Sequence, residues 1–404
     1  MQNRPLPRDP MVRELVKMAK KSQLSRRTFL TATGGGAVAM GLAACASDEP
    51  ITAATDLSET DKTVTWSNWP FYIDEDDDGN YPTLERFQEE TGITVNYRVD
   101  YDDNNTYYAK VRDQLQLGQD IGADIVTPTE WMAARWAQLG FVQEFNEANM
   151  PNKKNLVESL ANPDWDPGRK KSLPWQGGFA GLAYNVDRVG EIRTVDDLWA
   201  PELRGRIVVL SEMRDTMGIL MMANGVDISG DWGSDEFNEA LDILREMVES
   251  GQIRNVRGNS YTEDLVNEDA LAAIGWSGDI TLINFEEGYD DGEKWKFIFP
   301  ESGATIWNDT MVVPIGSTRK ANAEALMNYY YQPEVAAEVA AWVNYVTPVE
   351  GAYEAALEID PEIADNKLIF PDDETLAQTQ AFRSLSAEEE SEFQAAFQSI
   401  ALGA

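Results

Sequence analysis

The stretch Leu271-Ala272-Ala273-Ile274-Gly275-Trp276-Ser277-Gly278-Asp279 is an apolar run that ends in an indole, breaks at serine and glycine, and then presents an acid. A second stretch, Ile306-Trp307-Asn308-Asp309, repeats the pattern behind the strand-like Trp295-Lys296-Phe297-Ile298-Phe299 and the breakers Pro300 and Gly303. Apolar strands that stop and then offer polar residues are how α/β proteins place side chains in a cleft at the strand ends. An indole face beside a carboxylate suits an organic cation, because the ring quadrupole attracts it and the carboxylate neutralises it. The competing reading makes both tryptophans core residues and both acids solvated turns.

Outward from these runs, strands and helices alternate. Val64-Thr65-Trp66 reads as a short strand, and Leu84, Phe87 and Thr91 mark one face of a helix that stops at Gly92. Ile93 to Val99 alternates as a strand, and a helix from Asn105 turns Tyr108, Val111 and Leu115 inward before Gly118. Asp124-Ile125-Val126 is a strand, and Glu130 to Leu139 is a helix ended by Gly140. This order predicts a mostly parallel sheet with helices on both faces. A second unit begins near Gly177, with strands at Gly178 to Tyr184 and Ile207 to Leu210. Ser234 caps an amphipathic helix through Phe237, Leu241, Leu244 and Met247 that ends at Gly251. Met311 to Pro314 reads as a strand, Asn322 to Tyr331 and Glu334 to Trp342 as helices, and Pro361 to Ala404 as a helical, polar tail.

The chain has 404 residues, enough for two domains with sizeable cores, and its 43% hydrophobic content and twelve tryptophans exclude a disordered chain. Ser25-Arg26-Arg27-Thr28-Phe29-Leu30 precedes a Gly/Ala-rich run from Ala32 to Ala44 that is too short to span a bilayer. A twin arginine before such a run reads as a Tat-type export signal. Leu42-Ala43-Ala44-Cys45 resembles the bacterial lipobox, which makes Cys45 the expected lipidation site and Ala46 to Asp61 a flexible tether. Cys45 is the only cysteine, so the protein is expected outside the cytoplasm without any disulfide. The formal net charge is −37; residues 1–45 hold eight Lys/Arg and two Asp/Glu, leaving 25 bases against 68 acids, a net of −43. Such a chain does not bind nucleic acid or anionic lipid by general electrostatics. The acids are spread along the whole chain and lysine is scarce, which points to adaptation to high salt ahead of ligand steering.

Several stretches together resemble the spermidine/putrescine-binding proteins of polyamine ABC transporters, a branch of the periplasmic binding proteins of the second structural type. They are Asn68-Trp69-Pro70-Phe71-Tyr72-Ile73, Phe87-Gln88-Glu89-Glu90-Thr91-Gly92-Ile93, Val126-Thr127-Pro128-Thr129, Trp199-Ala200-Pro201-Glu202-Leu203-Arg204-Gly205, Trp276-Ser277-Gly278, Trp307-Asn308-Asp309 and Tyr345-Val346-Thr347-Pro348. Their order and spacing carry the likeness from about Lys62 to Phe382. The resemblance implies two α/β lobes, 62–176 with 304–346 and 177–303 with 347–404, clamping the ligand between them. Crossovers are implied near Gln176–Phe179, Glu301–Thr305 and Tyr345–Val349. It also implies ligand contacts at Trp69, Tyr72, Thr129 and Trp131, an acidic pair at Glu212 and Asp215, aromatic walls at Trp276 and Trp307, an amine-binding acid at Asp309, and a further aromatic at Tyr345. The partners implied are a polyamine, a membrane permease and the membrane through the lipid anchor alone, with the protein a monomer without cofactor or metal. Two positions depart from the pattern: Phe71 stands where the family commonly has a glutamate, and Phe382 beside Arg383 where it has a polar contact. An unpaired Arg383 would oppose a polyamine, which leaves a quaternary amine or a sugar as other solutes.

Asp74-Glu75-Asp76-Asp77-Asp78-Gly79 with Glu85 has calcium-loop spacing, yet a strand leads into it and Pro82 sits at the ninth position, so a solvated loop is expected. With no histidine in the chain, His-dependent triads are excluded. Gly177-Gly178-Phe179-Ala180-Gly181 lacks the Gly-Lys-Ser/Thr ending of a phosphate loop. The remaining catalytic alternative is a secreted glycosidase using two carboxylates such as Glu212 and Asp309 in an aromatic cleft.

Overall fold

Strand β1 (Thr63–Asn68) is buried along nearly its whole length and pairs in parallel with both β2 (Thr94–Val99) and β3 (Ile125–Val126). The computed structural model describes residues 51–76, 78–286, 294–401 and 403; Cys45, the twin-arginine segment and Asp77 lie outside the described residues. Helices α1 (Pro82–Thr91) and α2 (Asn104–Gln116) return the chain between these strands, and α3 (Glu130–Gln138) follows β3. Gly92 closes α1 at φ 69, where a side chain would be strained. In α2 the buried aromatic is Tyr107, where Tyr108 was expected, because the helix begins one residue earlier and Asp103 caps it through Thr106 N.

Next comes β4 (Ser172–Asn185), fourteen residues long and buried throughout. The second half of the fold follows in order: β5 (Ile207–Leu210), α4 (Met213–Ala223), α5 (Ser234–Glu249), β6 (Ile253–Arg257), α6 (Tyr261–Val266), β7 (Ala272–Trp276), α7 (Ser277–Glu286) and β8 (Trp295–Ile298). Gly233 is the N-cap residue of α5, and Ser234 its first helical residue. Then come β9 (Ala304–Val312), α8 (Lys320–Tyr330), α9 (Pro333–Val343), α10 (Ala352–Ile359), α11 (Pro361–Asp365), α12 (Asp373–Leu376), β10 (Thr379–Gln380) and α13 (Ala387–Ala401).

The strand order is β2-β1-β3-β9-β4-β7-β5-β6. Each end is a parallel set, but β3/β9, β9/β4 and β4/β7 are antiparallel, so the sheet is mixed where a mostly parallel one was expected. The architecture is α/β and two-lobed, with β4 and β9 as the long strands that belong to both halves. Ile306 to Asp309 therefore lie inside a nine-residue strand instead of ending one. The register of β4 shifts between Pro174 and Gly177. At that level Gly177 pairs with Asn308 and bridges Val346, exchanging backbone hydrogen bonds of 2.8 and 2.7 Å with it. Segments near two of the expected crossovers, Gly177 and Val346, come together there with Asn308 of β9, which lies past the expected Glu301–Thr305.

Two other expectations change. From Ala54 the presumed tether is docked, since Ala54 N donates to Ile315 O and Leu57 N to Thr318 O, and Ser58 is buried. The C-terminal region divides: α10 packs on α9, and Glu350 N bonds Asn155 O, which attaches residues 348–359 to the first half. The tail beyond them is less polar than expected. Phe393 of α13 stacks on Phe237 of α5 at 4.2 Å, and Phe397 and Ile400 are buried too, while β10 pairs with β9. Burying such side chains contributes about 1.5–3 kcal/mol each.

Candidate functional site

Five aromatic rings delivered by four separate segments wall one slot, with Tyr101 packed against Trp69. Trp69 follows the end of β1, and its Nε1 donates to Thr127 O at 2.8 Å, which fixes the indole. Phe71 takes a left-handed backbone (φ 56), turning the chain so that Tyr72 points inward. Trp276 closes β7, Trp307 stands in mid-β9, and Tyr345 follows α9. Trp69 lies 4.4 Å from Tyr101 and 6.3 Å from Trp276. Trp276 is 6.3 Å from Trp307, Trp307 is 5.3 Å from Tyr345, and Tyr345 is 5.4 Å from Tyr72. Backbone close approach makes this possible. A Cβ on Gly178 would fall 2.7 Å from both the Trp307 and Tyr345 rings, and one on Gly278 would fall 2.6 Å from Tyr345.

Four carboxylates line the same slot: Glu212, Asp215, Asp279 and Asp309. Asp309 Oδ2 accepts the Tyr72 hydroxyl at 2.8 Å, whereas its buried Oδ1 has no hydrogen-bond partner. Burial pushes the Asp309 carboxyl up to about 7, against opposing hydrogen bonds. Asp279 accepts from Tyr345 (2.9 Å) and Asn259 (3.3 Å) and is raised by burial to about 6. Asp215 accepts from Trp276 Nε1 (2.8 Å) and Thr305 Oγ1 (2.7 Å), and burial raises it as well. Glu212, whose side chain is 11% exposed, accepts from Asn104 Nδ2 and Trp131 Nε1, each at 3.2 Å. Burial lifts it to about 8, with Arg214 pulling the other way. Among the described residues no lysine or arginine lines the slot. Taking carboxylates out of water without a counter-ion is costly, so such a group of acids is poised for a cation supplied from outside.

Of the residues expected to contact ligand, Trp69, Tyr72, Thr129, Glu212, Asp215, Trp276, Trp307, Asp309 and Tyr345 all line the slot. Trp131 does not; it faces an adjoining cavity of about 590 Å³ that shares Thr129, Glu212, Asp215 and Trp307 with the slot. The slot itself encloses only about 30 Å³, room for about one water. Sequence reasoning missed Asn104, Asn259 and the role of Asp279, although Asp279 ends the opening apolar run. Arg383 is paired: its Nη2 donates to Glu389 Oε1 at 2.6 Å, and its guanidinium lies 4.1 Å from the Trp232 ring centre. In the acidic loop, both Asp74 oxygens are occupied by Thr83, and Asp76 accepts from Asp78 N and Asn80 N. Among the described residues no cluster of three or more acids suits a metal, and no helix is long and apolar enough to cross a membrane.

The sequence profile described as bacterial extracellular solute-binding protein matches residues 83–371. The spermidine/putrescine-binding periplasmic protein of Escherichia coli is 27% identical over 345 residues, covering 84% of this chain and 89% of its own length. The putrescine-binding periplasmic protein SpuD of Pseudomonas aeruginosa is 28% identical over 333 residues, covering 79% and 86%. Among solved structures, the spermidine/putrescine substrate-binding protein PotD of Streptococcus pneumoniae superposes with a TM-score of 0.65 at 23% identity, covering 84% of this chain and 99% of that one.

Proposed function

The chain belongs to the bacterial extracellular solute-binding proteins, and on that premise we propose that it captures a polyamine and delivers it to an ABC importer. One observation carries this reading: four largely buried carboxylates share an indole-walled slot that, among the described residues, holds no basic side chain. A polyamine is a row of ammonium groups separated by methylenes. The faces of Trp69, Trp276 and Trp307 would cover its methylenes and add cation–π attraction of about 1–2 kcal/mol per desolvated contact. Asp309, through its unpartnered Oδ1, and Asp279 would each take an ammonium. The names of the relatives support the same class of solute. Because the slot is so narrow, the lobes must part to admit the ligand and shut around it.

The same proposal assigns residues 62–176 and 304–365 to one lobe and 177–303 with 366–404 to the other. It assigns Tat-type export and lipidation at Cys45, and with them a monomer tethered outside the cytoplasm by acyl chains. No turnover is expected, since the acids hold charge for binding. Calorimetric titration with putrescine, spermidine, a quaternary amine and a maltodextrin tests the reading. Polyamine binding that weakens by tens of fold or more in Asp309→Asn is the expected result, and silence toward every amine overturns it.

A further inference from the structure

The residue between the two acids on the second-lobe side of the slot has a role of its own. Arg214, in the first turn of α4, lays its guanidinium 4.1 Å from the centre of the Trp131 ring and 6.0 Å from that of Phe382. Its Nη1 stands 3.9 Å from Glu212 Oε1, and its Nη2 donates to Glu390 of α13. The side chain is only 12% exposed, and Nη1 has no hydrogen-bond partner. An aromatic face with a carboxylate at its edge is the same constellation that the slot offers to an organic cation. Here the chain fills it with its own guanidinium.

The place of that constellation gives it meaning. Trp131, Arg214 and Phe382 line the 590 Å³ cavity into which the slot leads past Glu212 and Asp215. A ligand too long for the slot would put its next ammonium there. Resting on the polyamine reading, we infer that Arg214 is the resident occupant of a distal cation subsite and thereby selects a diamine over a triamine. A third ammonium would find the Trp131 face covered and the Glu212 charge already shared. Arg383 lines the same cavity but is paired with Glu389 at 2.6 Å, so it adds little to the repulsion. The other acids of that cavity offer little relief, since Glu130 is committed to Arg169 at 3.1 Å and Asp164 is exposed to solvent. Specificity here arises from repulsion of the longer ligand as much as from attraction of the shorter one. Glu390 anchors the guanidinium, so α13 acts as its positioning element.

Calorimetric titration of the full chain with putrescine and with spermidine tests this, using the wild type, Arg214→Gln, Arg214→Met and Arg214→Lys, with a thermal melt on each to establish folding. The wild type is expected to favour putrescine. Either uncharged variant should shift the affinity ratio toward spermidine by about tenfold or more, and Arg214→Lys should keep the wild-type ratio. Two uncharged replacements guard against a single variant that does not fold. An unchanged ratio in the uncharged variants, an equal shift in the lysine variant, or a wild type that prefers spermidine overturns the inference and leaves the polyamine reading intact. A wild type that binds neither amine removes that reading, and the inference falls with it.

Discussion

Tyr72 donates its hydroxyl to Asp309 Oδ2 at 2.8 Å, joining the first strand-to-helix turn to the middle of β9 across 237 positions of sequence. The bond satisfies one carboxylate oxygen and leaves the other, Oδ1, buried without a donor. Burial outweighs the hydrogen bonds that the carboxylate accepts, so Asp309 sits well above the ordinary carboxylate range. The site is therefore costly to ionise until a cation arrives.

Replacing Asp309 with asparagine should separate binding from stability. The shape is kept and Tyr72 retains an acceptor, but the ammonium loses its counter-charge. A charge-assisted bond of about 2–3 kcal/mol corresponds to polyamine binding weakened roughly 30- to 150-fold. Stability should move the other way. Asp309 titrates near 7 in the fold and near 4 unfolded, so its favourable contribution is full below about pH 4 and lost as pH rises through 7. At pH 8 the ligand-free asparagine variant should be more stable by about 2 kcal/mol in urea unfolding. Undiminished affinity would contradict the role given to this acid.

Binding should also be linked to protons. Burial raises Asp279 to about 6, Asp309 to about 7 and Glu212 to about 8, so part of this set is protonated at neutral pH. An ammonium favours the ionised forms and expels those protons. Affinity for a diamine should accordingly rise from pH 5 to pH 8 and then level off. Titrations at pH 7 in buffers of different ionisation enthalpy should report about one proton released per ligand bound. A flat pH profile would mean the acids are ionised before binding.

The sequence showed these acids and rings unevenly. Trp276, Trp307 and Asp309 were legible because each is an aromatic or acid set off within an apolar run. Asn104 and Asn259 were not, since nothing local marks a helix-start asparagine whose partner, Glu212, lies 108 positions away. Gly177 reads locally as the point where a second unit begins and Gly178 as the start of a strand, yet both lie inside the longer β4. They are required there because Asn308, Trp307 and Tyr345 press against the backbone, a tertiary demand with no local signature. The antiparallel placement of β9 was hidden for the same reason. Alternating helices and strands fix neither strand order nor direction when two strands are shared between halves. Trp131 illustrates the limit within the site: the helix was correctly placed, but its indole is taken by Arg214.

Gly258 lies at a contact between the two halves of the fold on the side of α2. Asn259 N donates to Asp102 O at 3.1 Å, Ser260 N to Asp102 Oδ1 at 3.1 Å, and Ser211 Oγ to Asp103 Oδ2 at 2.7 Å. A Cβ on Gly258 would fall 2.3 Å from Asp102 O, which is backbone and cannot swing aside. Gly258→Ala should hold the two halves apart and weaken every ligand by about tenfold, without altering their rank order. Small-angle scattering with saturating diamine should show a larger radius of gyration than the wild type. Unchanged affinity together with an unchanged radius would rule out a latch here.

Salt should act oppositely on folding and on capture. From residue 46 onward the chain carries 25 bases against 68 acids, and most of those charges repel one another across the surface. Screening shortens from about 10 Å at 0.1 M to about 3 Å at 1 M, so the melting temperature should climb with potassium chloride over that range. Capture should slow, because the same field draws a cation toward the cleft. The loss of affinity should nonetheless be modest, since Asp215, Asp279 and Asp309 are buried and bulk ions screen their short-range pairing little. Stopped-flow association rates that fall steeply with salt, beside dissociation rates that barely change, would express that division. A melting temperature indifferent to salt would count against repulsion as the dominant surface effect.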